Sequence, residues 1–117
     1  MTTKIENNQL NNKIMKLITV ETLPGMNYEV LGAVSGSTIQ SKNFVSDFGQ
    51  GLKSIVGGEL KSYTAMMEKA RNQATQRMVD EAVRMGADAI IGLRYTTSAI
   101  MAQAAEVLVY GTAIRYK

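Results

Sequence analysis

A chain of 117 residues has room for one domain and not for two of ordinary size. It holds no Cys and no His, which removes disulfides, thiol nucleophiles, imidazole bases and the ligands that transition-metal sites use most. The formal charge of +3 is small, and bases alternate with acids, as in MEKARNQATQRMVDEAVR, so nucleic acid is not an expected partner. No run approaches the ~18 apolar residues of a membrane span, and the first residues lack the apolar stretch of a signal peptide. The expectation is a cytoplasmic protein without a membrane partner. Few aromatics and eight Met predict a soft, adaptable core.

In chain order, MTTKIENNQLNNK is rich in Asn and charge and shows no apolar periodicity, so residues 1–14 are expected to form a disordered tail. Met15 is a candidate natural initiator, and the single domain is expected over 15–117. Residues 17–22 are β-branched and predict a first strand. Leu23-Pro24-Gly25-Met26 follows with Pro at i+1 and Gly at i+2, the chemistry of a type II turn. The second strand is YEVLGAVSGST, in which simple alternation puts Val30 and Val34 on one face and Leu31 and Ala33 on the other. Asn43 can cap a short helix over 44–56, whose Phe44, Phe48, Leu52 and Ile55 recur at helical spacing.

A long helix is predicted over 59–85. Its apolar line is Tyr63, Met67, Ala70, Ala74, Met78, Ala82 and Met85, with Asp80 and Arg84 placed for an i,i+4 pair on the opposite side. Small Ala residues in mid-helix permit close approach to a sheet, and Gly86 is placed to end the helix in the left-handed conformation. DAIIGLRYTTS and EVLVYGTAIRY are the last two strands, joined by AIMAQAA. Alternation pairs Ile91 with Leu93 against Ile90, and Val107 with Val109 against Leu108 and Ile114. One long helix covers one face of such a sheet. The second face is expected to meet the short helix, another subunit, or both. The interior glycines Gly32, Gly92 and Gly111 mark either close backbone approach or bulges.

The junction IVGGELKSY resembles a phosphate cradle at a helix start, but Glu59 already supplies the negative charge there and would repel an anion. It also lacks the Gly-Lys-Ser/Thr ending of a P-loop, so Gly57 and Gly58 read as a sharp junction. The carboxylates show no metal-ligand spacing; Asp80 and Glu81, being adjacent, diverge by about 100° around the helix. Arg94 stands inside a strand beside Tyr95, where pairing across a subunit boundary is the favoured reading. No nucleophile is placed beside a base, so neither catalysis nor a cofactor is expected.

Taken together, LPGMNYEVLGAVSGSTIQSKNF, GGELKSYTAMMEKARNQATQRMVDEAVRMGADAIIGLRY and AAEVLVYGTAIRY resemble the YbjQ-like family of small bacterial proteins over roughly 15–117. The resemblance implies an α+β subunit related to dodecin: a mostly antiparallel sheet of about four strands with one long and one short helix, assembled as a ring, commonly a pentamer. It also brings the label of heavy-metal binding, for which this sequence offers only oxygen ligands and Met thioethers, Met66, Met67, Met78 and Met85 among them. The expected function is therefore a non-catalytic, homo-oligomeric binding or scaffold protein, with Gly57, Gly58, Glu59, Arg94 and Met101 as candidate subunit-boundary residues and no metal or cofactor ligand assigned. The alternative is metal binding through oxygen or Met ligands. Any small-molecule or metal ligand is unspecified by the sequence.

Overall fold

The longest apolar repeat in the sequence becomes the element on which the rest is laid. The computed structural model describes residues 14–41, 58–101 and 104–117. Within them the order is β1 (Lys16–Leu17), β2 (Tyr28–Ser41), α1 (Gly58–Arg84), β3 (Ala89–Met101) and β4 (Ala104–Tyr116). The four strands form one sheet in the order β1-β3-β4-β2, with β1 parallel to β3 and the other neighbours antiparallel. This is the expected α+β class with a mostly antiparallel sheet. The expected tail lies outside the described residues except for Ile14, and the short helix over 44–56 lies wholly outside them.

The 27-residue helix contains no Pro and no Gly after its first residue, so propensity does not interrupt it. Ala70, Ala74, Met78 and Ala82 recur every four residues and are fully buried, while Met67 and Met85 at the two ends are partly so. Tyr63, the first residue of the expected apolar line, is exposed. The helix ends as its chemistry demands: Gly86 has φ +83°, its N–H donates to the Val83 carbonyl, and Ala87 N–H reaches back to Ala82. The expected Asp80–Arg84 pair is not formed; Gln76 Nε2 donates to Asp80 Oδ1 at 2.8 Å instead.

Helix and sheet meet where neither side has bulk. A Cβ on Gly36 of β2 would fall 2.1 Å from the Ala74 carbonyl oxygen and 2.6 Å from the Met78 nitrogen, so only glycine permits this crossing. Around it Val34, Val107, Val109, Ala113, Ile90 and Leu93 close the main core against the helix. Each large side chain removed from water there contributes roughly 1.5 to 3 kcal/mol.

Two bulges overturn the simple alternation expected from the sequence. The register of β2 on β4 shifts between Val30 and Gly32, which leaves Val30 opposite Ile114 and 63% exposed while Val34 faces the helix. The register of β3 on β4 shifts between Ile91 and Arg94, so Leu93 joins Ile90 on the helix side and Ile91 points the other way. Gly92, at φ +64°, makes this second bulge possible. Of the three interior glycines, Gly32 and Gly92 are thus bulge residues, whereas at Gly111 a Cβ would come within 2.6 Å of the Ile90 side chain. Alternation holds in β4, where Val107 and Val109 face the helix.

The second face also has a cover that was not expected. Ala89, Ile91 and Ile114 are buried on the side away from α1, and Ile18, Leu23 and Tyr28 pack on them. The chain's own residues 18–28 form this lid, folded back by the expected turn, in which Gly25 has φ +83° and Met26 N–H donates to the Leu23 carbonyl. The predicted strand over 17–22 is correspondingly short as a regular element. It nevertheless follows β3 further, through bonds from Ile18 N–H to Ile90, Leu93 N–H to Ile18, and Gly92 N–H to Val20.

Candidate functional site

The covered end of the sheet is where β3 begins and β4 finishes, and parts of both outer margins are occupied. β1 and the residues after it take up the backbone of β3 as far as Leu93. On the opposite margin, Ser35 N–H donates to Glu81 Oε1 at 3.1 Å and Arg77 donates to the Ser37 carbonyl at 2.6 Å. Two charged residues of α1 thus satisfy edge groups of β2 that would otherwise invite another strand.

The two guards stop at different heights: the one on β3 ends at Leu93, before the level of Ser35, and the one on β2 ends at Ser37, level with Thr96. Alternate residues of a strand present their N–H and C=O to the same side, so Ile39 and Ser41 face outward like Ser35 and Ser37. Among the described residues nothing caps them. On β3, Leu93 N–H points to the β1 side, hence the backbone groups of Tyr95, Thr97 and Ala99 do too, and no described backbone group meets them. Through β4 the two free stretches are level: Thr97 is opposite Val107, itself opposite Thr38, and Ala99 is opposite Ala105, itself opposite Gln40. Residues 95–105 include no charge and no Pro, the usual protections of an edge strand.

Apolar side chains accumulate at this open end. Ile39 is 61% exposed and Met101 67%, and Ile100 and Tyr95 are exposed to a lesser extent. Tyr95 Oη and Thr75 Oγ1 share a 2.9 Å hydrogen bond, which ties the open part of β3 to the helix. Away from the helix the same part of the sheet carries Ser35, Ser37, Thr96 and Ser98 around Leu108 and Tyr110.

The residues singled out from sequence fall in different places. Gly57 lies outside the described residues, and Gly58 and Glu59 stand in the first turn of α1. Arg94 follows the β3 bulge and pairs within its own chain: its guanidinium reaches Glu21 Oε2 at 2.6 Å and also donates to the carbonyls of Thr19 and Leu93. Met101 ends β3 at the open end, seven residues and roughly 23 Å of strand beyond Arg94. Arg94 and Met101 are therefore not brought together. Sequence reading missed the free margin of β3 itself, although the uncharged run after Arg94 carried the signal.

Chemistry other than association has little to work with among the described residues. No three of the His, Cys, Asp or Glu class converge on a point, so the carboxylates offer no cage for a cation. Met78 is buried in the core, and Met67 and Met85 pack against it, so these thioethers are committed to packing. A shallow depression lined by Ala65, Glu68, Lys69, Asn72, Gln73 and Gln76 draws on one helix alone, and its Gln73 already binds Thr38 and Gln40. The Thr75–Tyr95 pair joins two hydroxyls with no base as third member. No helix among the described residues is long and apolar enough to cross a membrane.

Comparison with known proteins gives a consistent set of relatives. Residues 15–117 match the YbjQ family, described as "Putative heavy-metal-binding". A UPF0145 protein of Clostridium novyi is 56% identical over 101 residues, spanning 86% of this chain and 98% of its own. One from Helicobacter hepaticus is 54% identical over 101 residues, spanning 86% and 97%, and one from Thermotoga maritima is 48% identical over 102 residues, spanning 86% and 96%. The crystal structure of a protein of unknown function of the DUF74 family, from Pediococcus pentosaceus, has the same fold, with a TM-score of 0.64 at 20% identity over 88% of this chain and 98% of that one.

Proposed function

The chain belongs to the YbjQ family of UPF0145 proteins, and from that premise we propose that it is a non-catalytic, homo-oligomeric binding or scaffold protein. Its subunits form a closed ring, with five as the expected number, and its place of work is the cytoplasm. The observation that carries this reading is the coincidence, at one end of the sheet, of exposed Ile39, Ile100 and Met101 with two strand margins that no described residue caps. Contiguous apolar surface beside an open edge is what soluble monomers avoid. Arg94 and Met101 stand at the two limits of the free β3 margin, which supports their assignment to a subunit boundary, as the junction at Gly57, Gly58 and Glu59 is assigned.

Metal binding, the property in the family's description, finds no cluster of three carboxylates among the described residues to support it. Sedimentation velocity at micromolar concentration tests the assembly: the expected species has a mass about five times the 12.8 kDa of the subunit, and a single monomeric boundary overturns the reading. Calorimetric titration with Cu(I), Zn²⁺ and Ca²⁺ is expected to give no stoichiometric heat. A saturable one-to-one signal would instead establish the metal reading.

A further inference from the structure

The cover over the sheet's second face is made by the chain itself, whatever its oligomeric state, and it is lightly built. We infer that residues 18–27 form a latched strap, which opens as one unit from the apolar floor of Ala89, Ile91 and Ile114 and is held shut by the Arg94 guanidinium. Two fixed points bound it. Leu17 ends β1 on β3, and Tyr28 begins β2 opposite Tyr116.

Between these points the strap buries little of itself. Of residues 18–27 only Ile18 and Leu23 are partly buried, and the other eight are exposed. Its backbone is held to β3 by the bonds from Ile18 N–H to Ile90, Leu93 N–H to Ile18 and Gly92 N–H to Val20, beyond the end of the regular parallel pairing. Few buried contacts and few backbone bonds mark a segment from the low end of local stability. Ile18 and Leu23 lie on the same floor, so lifting one strips contacts from the other and the two leave together.

The bulge at Gly92 explains why a side chain serves as the latch. The register of β3 shifts there, and the Thr19 carbonyl finds its donor in Arg94 Nη1, at 2.9 Å, rather than in a backbone amide. The same nitrogen donates to the Leu93 carbonyl at 2.8 Å, and Nη2 reaches Glu21 Oε2 at 2.6 Å. One planar group thus fastens the backbone and a side chain of the strap to β3. At the other end, Leu23 N–H faces Tyr28 Oη at 3.5 Å across the Gly25 turn, which ties the apolar tip to the second fixed point.

Native-state hydrogen exchange on the full chain tests the unit. The amides of Ile18, Gly92 and Leu93, which lie on both sides of the strap's contact with β3, are expected to share one opening constant, at least about 100-fold larger than that of the β4 amides. Arg94→Ala is expected to raise that shared constant about two- to fivefold, the range set by an exposed ion pair. Because the chain has no Cys, Ile91→Cys places a single thiol beneath the strap and Val109→Cys one beneath α1. The first is expected to react with iodoacetamide at least about tenfold faster than the second. Exchange of the three amides as slow as that of β4, or equal labelling of the two thiols, overturns the strap. Three unrelated opening constants overturn its movement as a unit, and an unchanged constant in Arg94→Ala overturns the latch. The exchange measurement needs only the unaltered protein, so it decides the matter even if a cysteine variant fails to fold.

Discussion

The two ends of one sheet are built to opposite rules. At the covered end β3 carries Ala89, Ile90 and Ile91 in succession, all buried, because α1 covers one face and residues 18–28 cover the other. The chain termini of this region are tied as well: Asp88 N–H donates to the Ile114 carbonyl, Tyr116 N–H to Asp88 Oδ2, and Arg115 pairs with Glu29. At the open end the same strand, from Arg94 onward, is exposed at every residue through Met101. One strand thus passes from core to surface across the bulge at Gly92, where its register on β4 shifts. The difference teaches that the fold is secured at one end and leaves the other available, so damage at the two ends should be felt in different measurements.

The largest expected effect is at the helix crossing that secures the covered half. Gly36→Val would drive a side chain into the Ala74 carbonyl and lift the helix, at a cost of about 3 kcal/mol or more, read by denaturant unfolding. A cost below about 1 kcal/mol would mean that the helix can retreat freely from β2. Next comes a matched pair on β3. Ile91→Ala empties the smaller core and should cost about 2 to 5 kcal/mol, whereas Ile100→Ala should change subunit stability by no more than about 0.5 kcal/mol. Equal costs would erase the distinction between the ends.

Smaller effects sharpen the boundary between them. Arg94 and Glu21 are both well exposed, so Arg94→Ala should cost only about 0.2 to 1 kcal/mol, a loss measurable against added salt. A larger loss in the assembled protein than in the diluted subunit would show that this pair also supports a neighbour. The smallest effect is expected from shortening the chain to begin at Met15, which packs on the main core and is retained. The thermal midpoint should move by no more than a few degrees. A drop of many degrees would assign the preceding residues a part in folding.

Much of the fold could be read from residue spacing. The long helix, its Gly86 ending, the Pro24-Gly25 turn and the three long strands follow from local patterns, each written within a few residues. What escaped was set by single residues acting at a distance. Gly32 and Gly92 shift the register by one and so reverse the faces of Val30 and Leu93, an event that alternation counting cannot register. The lid made by Ile18, Leu23 and Tyr28 escaped because those residues look like an ordinary strand and turn until the chain is folded back. At the candidate site, Met101 was named from its place in the connection between the last two strands and Arg94 from its charge inside a strand. The margin between them carries backbone groups, and no side-chain pattern announces a free N–H. Its sequence trace is negative: eleven residues, 95–105, without a charge.

The central claim is that the open end is completed by other copies of the chain, and the dependence of thermal stability on concentration tests it most directly. Across a hundredfold dilution the thermal midpoint should fall by several degrees, because association stabilises the folded subunit by mass action. Sedimentation equilibrium on the same samples should show the assembled mass giving way to the subunit. A well-folded monomer at micromolar concentration, with a midpoint that does not move on dilution, would contradict the account.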